Sequence, residues 1–199
     1  MFGWKAKLSY ALGLMFLFIL LDSPVQADVD WDRILDREVV VEAVKNAEGI
    51  RGVRVAFAVA APNENIWAAL VDYERFDEIF LGIEKMRVLE QAPSGAKVEF
   101  WVDAVVTDLH YVLYRDYAQP GTRLTWKRLS GDLERIEGSW EIRDTPQPGV
   151  KLLTYESYVE VGGIVPTWFI QQGAIQKAHD MAVRLRTWIE EGKLPDGSG

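Results

Sequence analysis

The chain has 199 residues, 49% of them hydrophobic and 26% charged, with a formal net charge of −8 and no cysteine. That length supports one domain with a sizeable core and is too short for two full ones. Lys and Arg are scattered among more numerous carboxylates, which excludes a phosphate-neutralising face for nucleic acid, and the lack of cysteine excludes disulfides, thiolate metal sites and a cysteine nucleophile.

Residues 1–27 read as a secretory signal peptide. Lys5 and Lys7 form a positive n-region, residues 8–21 are an uncharged apolar run, and Val25-Gln26-Ala27 offers small residues at the cleavage positions. The competing reading is a retained anchor, but the run falls short of the ~20 residues that a spanning helix needs. The expected mature chain starts at Asp28, and loss of two lysines and one aspartate takes its charge from −8 to −9. A lipoprotein anchor would need a cysteine at the cleavage site. Export without cysteine points to a bacterial periplasm, and the acidity leaves at most a transient or apolar contact with membranes.

The mature part is expected to be one domain over 28–195 with a flexible tail at 196–199. Val39 to Val44 and Val53 to Ala60 form a hairpin around the turn signal Asn46-Ala47-Glu48-Gly49, the second strand alternating Val53, Val55, Phe57 and Val59 with smaller or polar residues. Pro62 opens a helix in which Ile66, Trp67, Leu70 and Val71 share a face, ending near Asp72 before a turn through Phe76 and Phe80.

Strands then follow at Glu84–Glu90, Lys97–Val106, Leu109–Tyr117, Arg123–Leu129, Glu134–Arg143 and Val150–Val161. Turn chemistry at Pro93-Ser94-Gly95, Pro120-Gly121, Ser130-Gly131-Asp132 and Pro146-Gln147-Pro148-Gly149 separates most of them, as in an antiparallel meander. Gly162-Gly163 breaks the last strand and Pro166 starts a long helix to Glu191. Ile175, Ala178, Ala182, Leu185 and Ile189 line one side of that helix, with Lys177, Arg184 and Glu191 off the line. The stripe must be buried, and its alanines leave room for a cavity between helix and sheet.

This order, with Ala61-Pro62 through Trp67, Val71-Asp72-Tyr73, Gly138-Ser139-Trp140-Glu141-Ile142, Tyr155 and Val165-Pro166-Thr167-Trp168 in place, resembles the START-like helix-grip superfamily (SRPBCC). The similarity is to its polyketide cyclase/dehydrase and coenzyme Q-binding branch, and it runs from about Glu38 to Glu191. The resemblance implies an α+β fold, a curved antiparallel sheet of about seven strands wrapped round a long C-terminal helix, with a short helix after the first sheet strand. It implies an apolar pocket for a lipid, isoprenoid quinone, sterol or polyketide. Carriers, chaperone-like binders and enzymes share the frame, so function has to be argued from the site.

Several tryptophans are candidates for a ligand wall, because wide flat rings give contact area with few rotors to freeze. Trp126 and Trp140 sit on strands expected to face the helix, whereas Trp101 shares a face with Glu99 and Asp103 and reads as outward. The expected ligand-binding set is Phe100, Val102, Arg115, Trp126, Trp140 and Tyr155 on strands, with Trp168, Ala174, Ala178 and Ala182 on the helix. Asp108 and His110 share one strand face while Arg115 points with Tyr111 and Leu113. That parity argues against one acid–base group and for Arg115 as a single polar anchor, which would need an acidic or carbonyl partner.

Glu134, Glu137 and Glu141 read as solvated exterior. The chain has two histidines, His110 and His179, with no His-x-x-x-His pair, no phosphate loop and no Gly-x-Ser-x-Gly elbow. The expectation is therefore a monomeric, exported binder or carrier of a hydrophobic small molecule or lipid, without metal or cofactor. A cyclase/dehydratase-type enzyme and an interaction domain with a filled core are the alternatives.

Overall fold

The alternating segments pair into a single eight-stranded antiparallel sheet, and the C-terminal helix lies across its concave face. The computed structural model describes residues 29–80, 82–103, 108–161 and 167–192, and within these the side chains of 118, 167–172 and 174 are left aside. The expected signal segment, the Gly162-Gly163 break and the 196–199 tail fall outside the described residues.

In chain order the elements are α1 (Trp31–Leu35), β1 (Val39–Lys45), β2 (Arg51–Val59), α2 (Asn63–Leu70), α3 (Phe76–Ile79), β3 (Ile83–Ala92), β4 (Gly95–Asp103), β5 (Asp108–Gln119), β6 (Arg123–Gly131), β7 (Arg135–Asp144), β8 (Lys151–Glu160) and α4 (Thr167–Glu191). The strand order β1-β2-β8-β7-β6-β5-β4-β3 puts the sequence-adjacent β2 and β3 at separate places in the sheet, so α2 and α3 must bridge one end. Two expectations need correction. The sheet has eight strands where the resemblance implies about seven. The helical connection is a pair of helices after the second strand, not one after the first.

The Val53, Val55, Phe57 and Val59 set is buried on the concave face together with Val98, Phe100, Leu124, Trp140 and Leu153, as period-two strands require. Ala178, Met181, Ala182 and Leu185 of α4 close over them, with Ile175 and Ile189 partly buried at the ends of the stripe. Arg184 departs from the expected polar side of α4. It is buried because α3 packs there, and its Nη2 donates to the Glu78 carbonyl at 2.6 Å.

At the other end of α4, Glu190 accepts from the Ala60 amide at 2.7 Å and from both Arg37 guanidinium nitrogens, tying the helix terminus to the start of the sheet. The convex face is capped locally by α1, whose Ile34 packs with Ala58 and Leu152. No periodicity announces this five-residue helix; Asp30 caps it by accepting from the Arg33 amide. No helix among the described residues is long and apolar enough to cross a membrane.

Candidate functional site

The pairing register lays one row of side chains straight across the concave face. Ala96 pairs with Arg115, Arg115 with Trp126, Trp126 with Gly138, and Gly138 with Ser157. Directly paired residues in a sheet share a face, so three small residues flank one arginine and one tryptophan in a trough. Gly138 is required locally: a Cβ there would overlap the Trp126 ring and the Glu156 carbonyl. With no side chain at that position, Trp126 lies flat and stacks on Tyr155 at 5.5 Å between ring centroids.

The neighbouring row is aromatic. Trp140 pairs with Tyr155 in register and its ring lies 4.7 Å from Tyr155, with Phe57 and Phe80 each 6.5 Å away. Trp140 retains 2% of its surface and serves mainly as packing. Tyr155 and Tyr111 behave differently. Each lies deep enough that burial pushes its hydroxyl above the usual tyrosine range. Yet each is only half-buried by accessible surface. Both rings pack against the concave-face cluster and keep some accessible surface.

Arg115 closes the row with 3% of its surface exposed. Its Nη2 donates to the Leu70 carbonyl at 2.9 Å, at the C-terminal end of α2, where unpaired carbonyls favour a cation. The guanidinium carbon lies 4.8 Å from the Phe76 ring and 5.1 Å from the Tyr73 ring. Burial pulls its pKa down, and the opposing influences come from Tyr73, Tyr117 and Tyr155 rather than from a carboxylate. Tyr73 and Tyr117 share a hydroxyl–hydroxyl hydrogen bond, and Trp67 packs edge-on against Tyr117 at 5.6 Å. Burial first, then the Tyr73 hydrogen bond, pushes the Tyr117 hydroxyl up.

The structure thus brings Phe100, Val102, Arg115, Trp126, Trp140, Tyr155, Ala178 and Ala182 together between sheet and helix. Phe100 is packed against Phe76 and Tyr111, at 5.9 and 5.6 Å, and Val102 is partly buried beside the core. Ala178 and Ala182 are themselves buried against the sheet. The side chains of Trp168 and Ala174 lie outside the described residues.

Sequence reasoning missed Tyr73, Tyr117 and the Phe76–Phe80 pair, whose rings stack at 4.0 Å. Tyr117 was in reach, since it shares parity with Arg115 on β5. Tyr73 and Phe76 were not, because only the fold of α2 and α3 brings them onto the sheet.

Asp108 and His110 lie on the convex face, away from Arg115. His110 Nε2 is 2.8 Å from Glu99, which also accepts from Arg87 at 2.6 Å, and the His110 ring stacks on Trp101 at 4.9 Å. Lys85 approaches the Trp101 ring at 4.8 Å. Asp108 pairs with Asp103 in register, on the convex side.

Comparison with known proteins agrees with this geometry. The fold matches a START superfamily protein from Mycobacterium smegmatis with a TM-score of 0.62 and 20% identity, covering 71% of this chain and 99% of that one. It matches a STAR-related lipid transfer protein from Xanthomonas axonopodis with a TM-score of 0.61 and 16% identity, covering 77% and 98%. The Zhui aromatase/cyclase of Streptomyces sp. R1128 gives a TM-score of 0.56 and 17% identity, covering 73% and 99%. Comparison by sequence with curated proteins returns no significant match. Residues 59–186, from the end of β2 to the last turns of α4, fit the sequence profile described as polyketide cyclase/dehydrase and lipid transport, and the chain belongs to that family.

Proposed function

We propose that the protein is an exported binder or carrier of a hydrophobic small molecule held between the concave face of the sheet and α4. A lipid, isoprenoid quinone, sterol or polyketide-like compound fits. The observation that carries this reading is the chemistry of the concave face. Around Arg115 the described positions that share its face, Ala96, Val98, Leu113, Trp126, Gly138, Trp140 and Tyr155, are aromatic, aliphatic or small; Arg128 lies further along β6 bonded to the Gly131 carbonyl, and Asp144 on this face is exposed and paired with Lys151 at the sheet end. Each Å² of apolar ligand surface removed from water contributes about 25 cal/mol, so such a wall binds without many polar contacts.

General acid–base chemistry needs a titrating group within hydrogen-bond reach of the substrate. Asp108 and His110 face the other way, and Tyr117 is driven further from neutrality by its surroundings. The family and its structural neighbours include lipid-transfer proteins and an aromatase/cyclase, so the fold is compatible with either use. The wall around Arg115 favours binding over a cyclase/dehydratase reaction. Export rests on Lys5, Lys7, the apolar run 8–21 and Val25-Gln26-Ala27.

Protein purified from a periplasmic extract without detergent should begin at Asp28 by intact mass. Its organic extract should contain one class of hydrophobic compound, recovered unchanged after long incubation with the protein. A species retaining residues 1–27 in the membrane fraction would overturn export. Conversion of the captured compound would replace the carrier with an enzyme, and failure to take up any fluorescent lipid or quinone analogue would leave an interaction domain with a filled core.

A further inference from the structure

The trough that holds Trp126 contains a charge with no counter-charge among the described residues. Arg115 is enclosed, and its Nη1 has no hydrogen-bond acceptor among the described residues. Five guanidinium N–H groups need acceptors when removed from water, and a buried cation without an anion is costly. The Leu70 carbonyl, the end of α2, the Tyr73 hydroxyl and the faces of Tyr73 and Phe76 supply part of that compensation. None of them is a full negative charge, and Arg115 forms no salt bridge with a carboxylate among the described residues.

The same guanidinium is next to the ligand wall. Trp126 is its partner in register, the small Ala96 flanks it on the other side, and Tyr155, stacked on Trp126, is close enough to influence its charge. An apolar molecule lying along Trp126 and Tyr155 therefore ends at an enclosed arginine whose Nη1 has no acceptor among the described residues. A single positive charge in a dry site accepts one negative charge and rejects two. The guanidinium is planar and tightly enclosed, which suits a carboxylate better than a branched phosphate headgroup.

We propose that the natural ligand is a monocarboxylate amphiphile, its tail along Trp126 and Tyr155 and its carboxylate accepting from Nη1 of Arg115. This inference rests on reading the cavity as a ligand site, and the two can fail separately.

The test uses the full-length mature protein, stripped of lipid, with palmitate, methyl palmitate and hexadecanol as probes, titrated by tryptophan fluorescence and calorimetry. Palmitate should bind at least ~10-fold more tightly than its ester or alcohol, the scale of a charge-assisted hydrogen bond. Arg115→Met should bring the acid down to the ester without weakening the ester. Arg115→Lys keeps a charge but not the fork, and should retain part of the preference. In the wild type the preference should vanish as pH falls through the ligand's own carboxyl pKa, because the arginine stays charged while the acid is neutralised.

Equal binding of acid and ester by the wild type, or a preference that survives in Arg115→Met, would overturn the carboxylate assignment while leaving the carrier intact. If phosphatidylglycerol vesicles donate lipid that displaces palmitate one for one, the headgroup is a phosphodiester and the assignment is again wrong. If none of the three probes binds, the cavity reading and this inference fall together. Should Arg115→Met not fold, the wild-type ratio of acid to ester and its pH profile decide the question alone.

Discussion

Two arginines on opposite faces of the same sheet are treated differently. Arg87, on the convex face, donates to Glu99 through both Nε and Nη2, and Glu99 also binds His110, whose ring lies on Trp101. Arg115, on the concave face, has a backbone carbonyl, two aromatic faces and one nitrogen without an acceptor. The convex cluster is electrically closed and gains little from any newcomer. The concave one is closed sterically and open electrically, which is the condition of a site waiting for a small anion.

That contrast can be broken most severely at Gly138. Gly138→Val drives a branched side chain into the Trp126 ring and the Glu156 carbonyl, so a loss of about 3 kcal/mol in urea unfolding is expected, with altered tryptophan emission and loss of ligand uptake. A variant that unfolds like the wild type would mean that Trp126 is not held flat against β7.

The next largest effect separates charge from packing at Arg115. Arg115→Met fills similar space and removes the desolvation cost, so unfolding stability should stay within about 1 kcal/mol of wild type or rise. Arg115→Ala leaves a void and an unpaired Leu70 carbonyl and should lose about 2 kcal/mol. If Met costs as much as Ala, the guanidinium is a structural clamp on α2, and the comparison with Arg87 loses its meaning.

The smallest effect belongs to the convex face and is a matter of pH. The His110 hydrogen bond, and after it Arg87, holds the Glu99 carboxyl below its ordinary value of 4.5 against the opposing influence of burial. A depressed carboxyl pKa in the folded state stabilises at pH above the unfolded value and stops doing so as pH falls through the folded one. The stability gap between wild type and Glu99→Gln should therefore be present above pH 4.5 and shrink below it, as read by chemical unfolding at a series of pH values. A gap that widens on acidification would show that the Glu99 carboxylate is not the stabilising partner.

The strand alternation, the turns and the small-residue stripe of α4 were legible in the amino-acid sequence because each is a short-range pattern. Parity alone placed Arg115 opposite Asp108 and His110, and a backbone cannot change that without a bulge between them. The same local rules brought out Trp126 and Trp140 as inward rings, while Tyr155 came from the resemblance. They did not reveal α1, whose five residues are too few for periodicity, whereas the hairpin and six further strands read from the residues make up the eight found, one more than the resemblance implies.

Only the tertiary structure decided which residues complete the site. The row Ala96, Arg115, Trp126, Gly138, Ser157 is drawn from five strands, and its alignment is set by register, bulges and turns summed along the chain. Tyr73 and Phe76 reach Arg115 because β2 and β3 are separated in the sheet, forcing α2 and α3 across its end. Sequence determines which faces a residue can have; the long-range pairing of strands determines what that face meets, and here it set a guanidinium against an apolar wall with one nitrogen left unpaired.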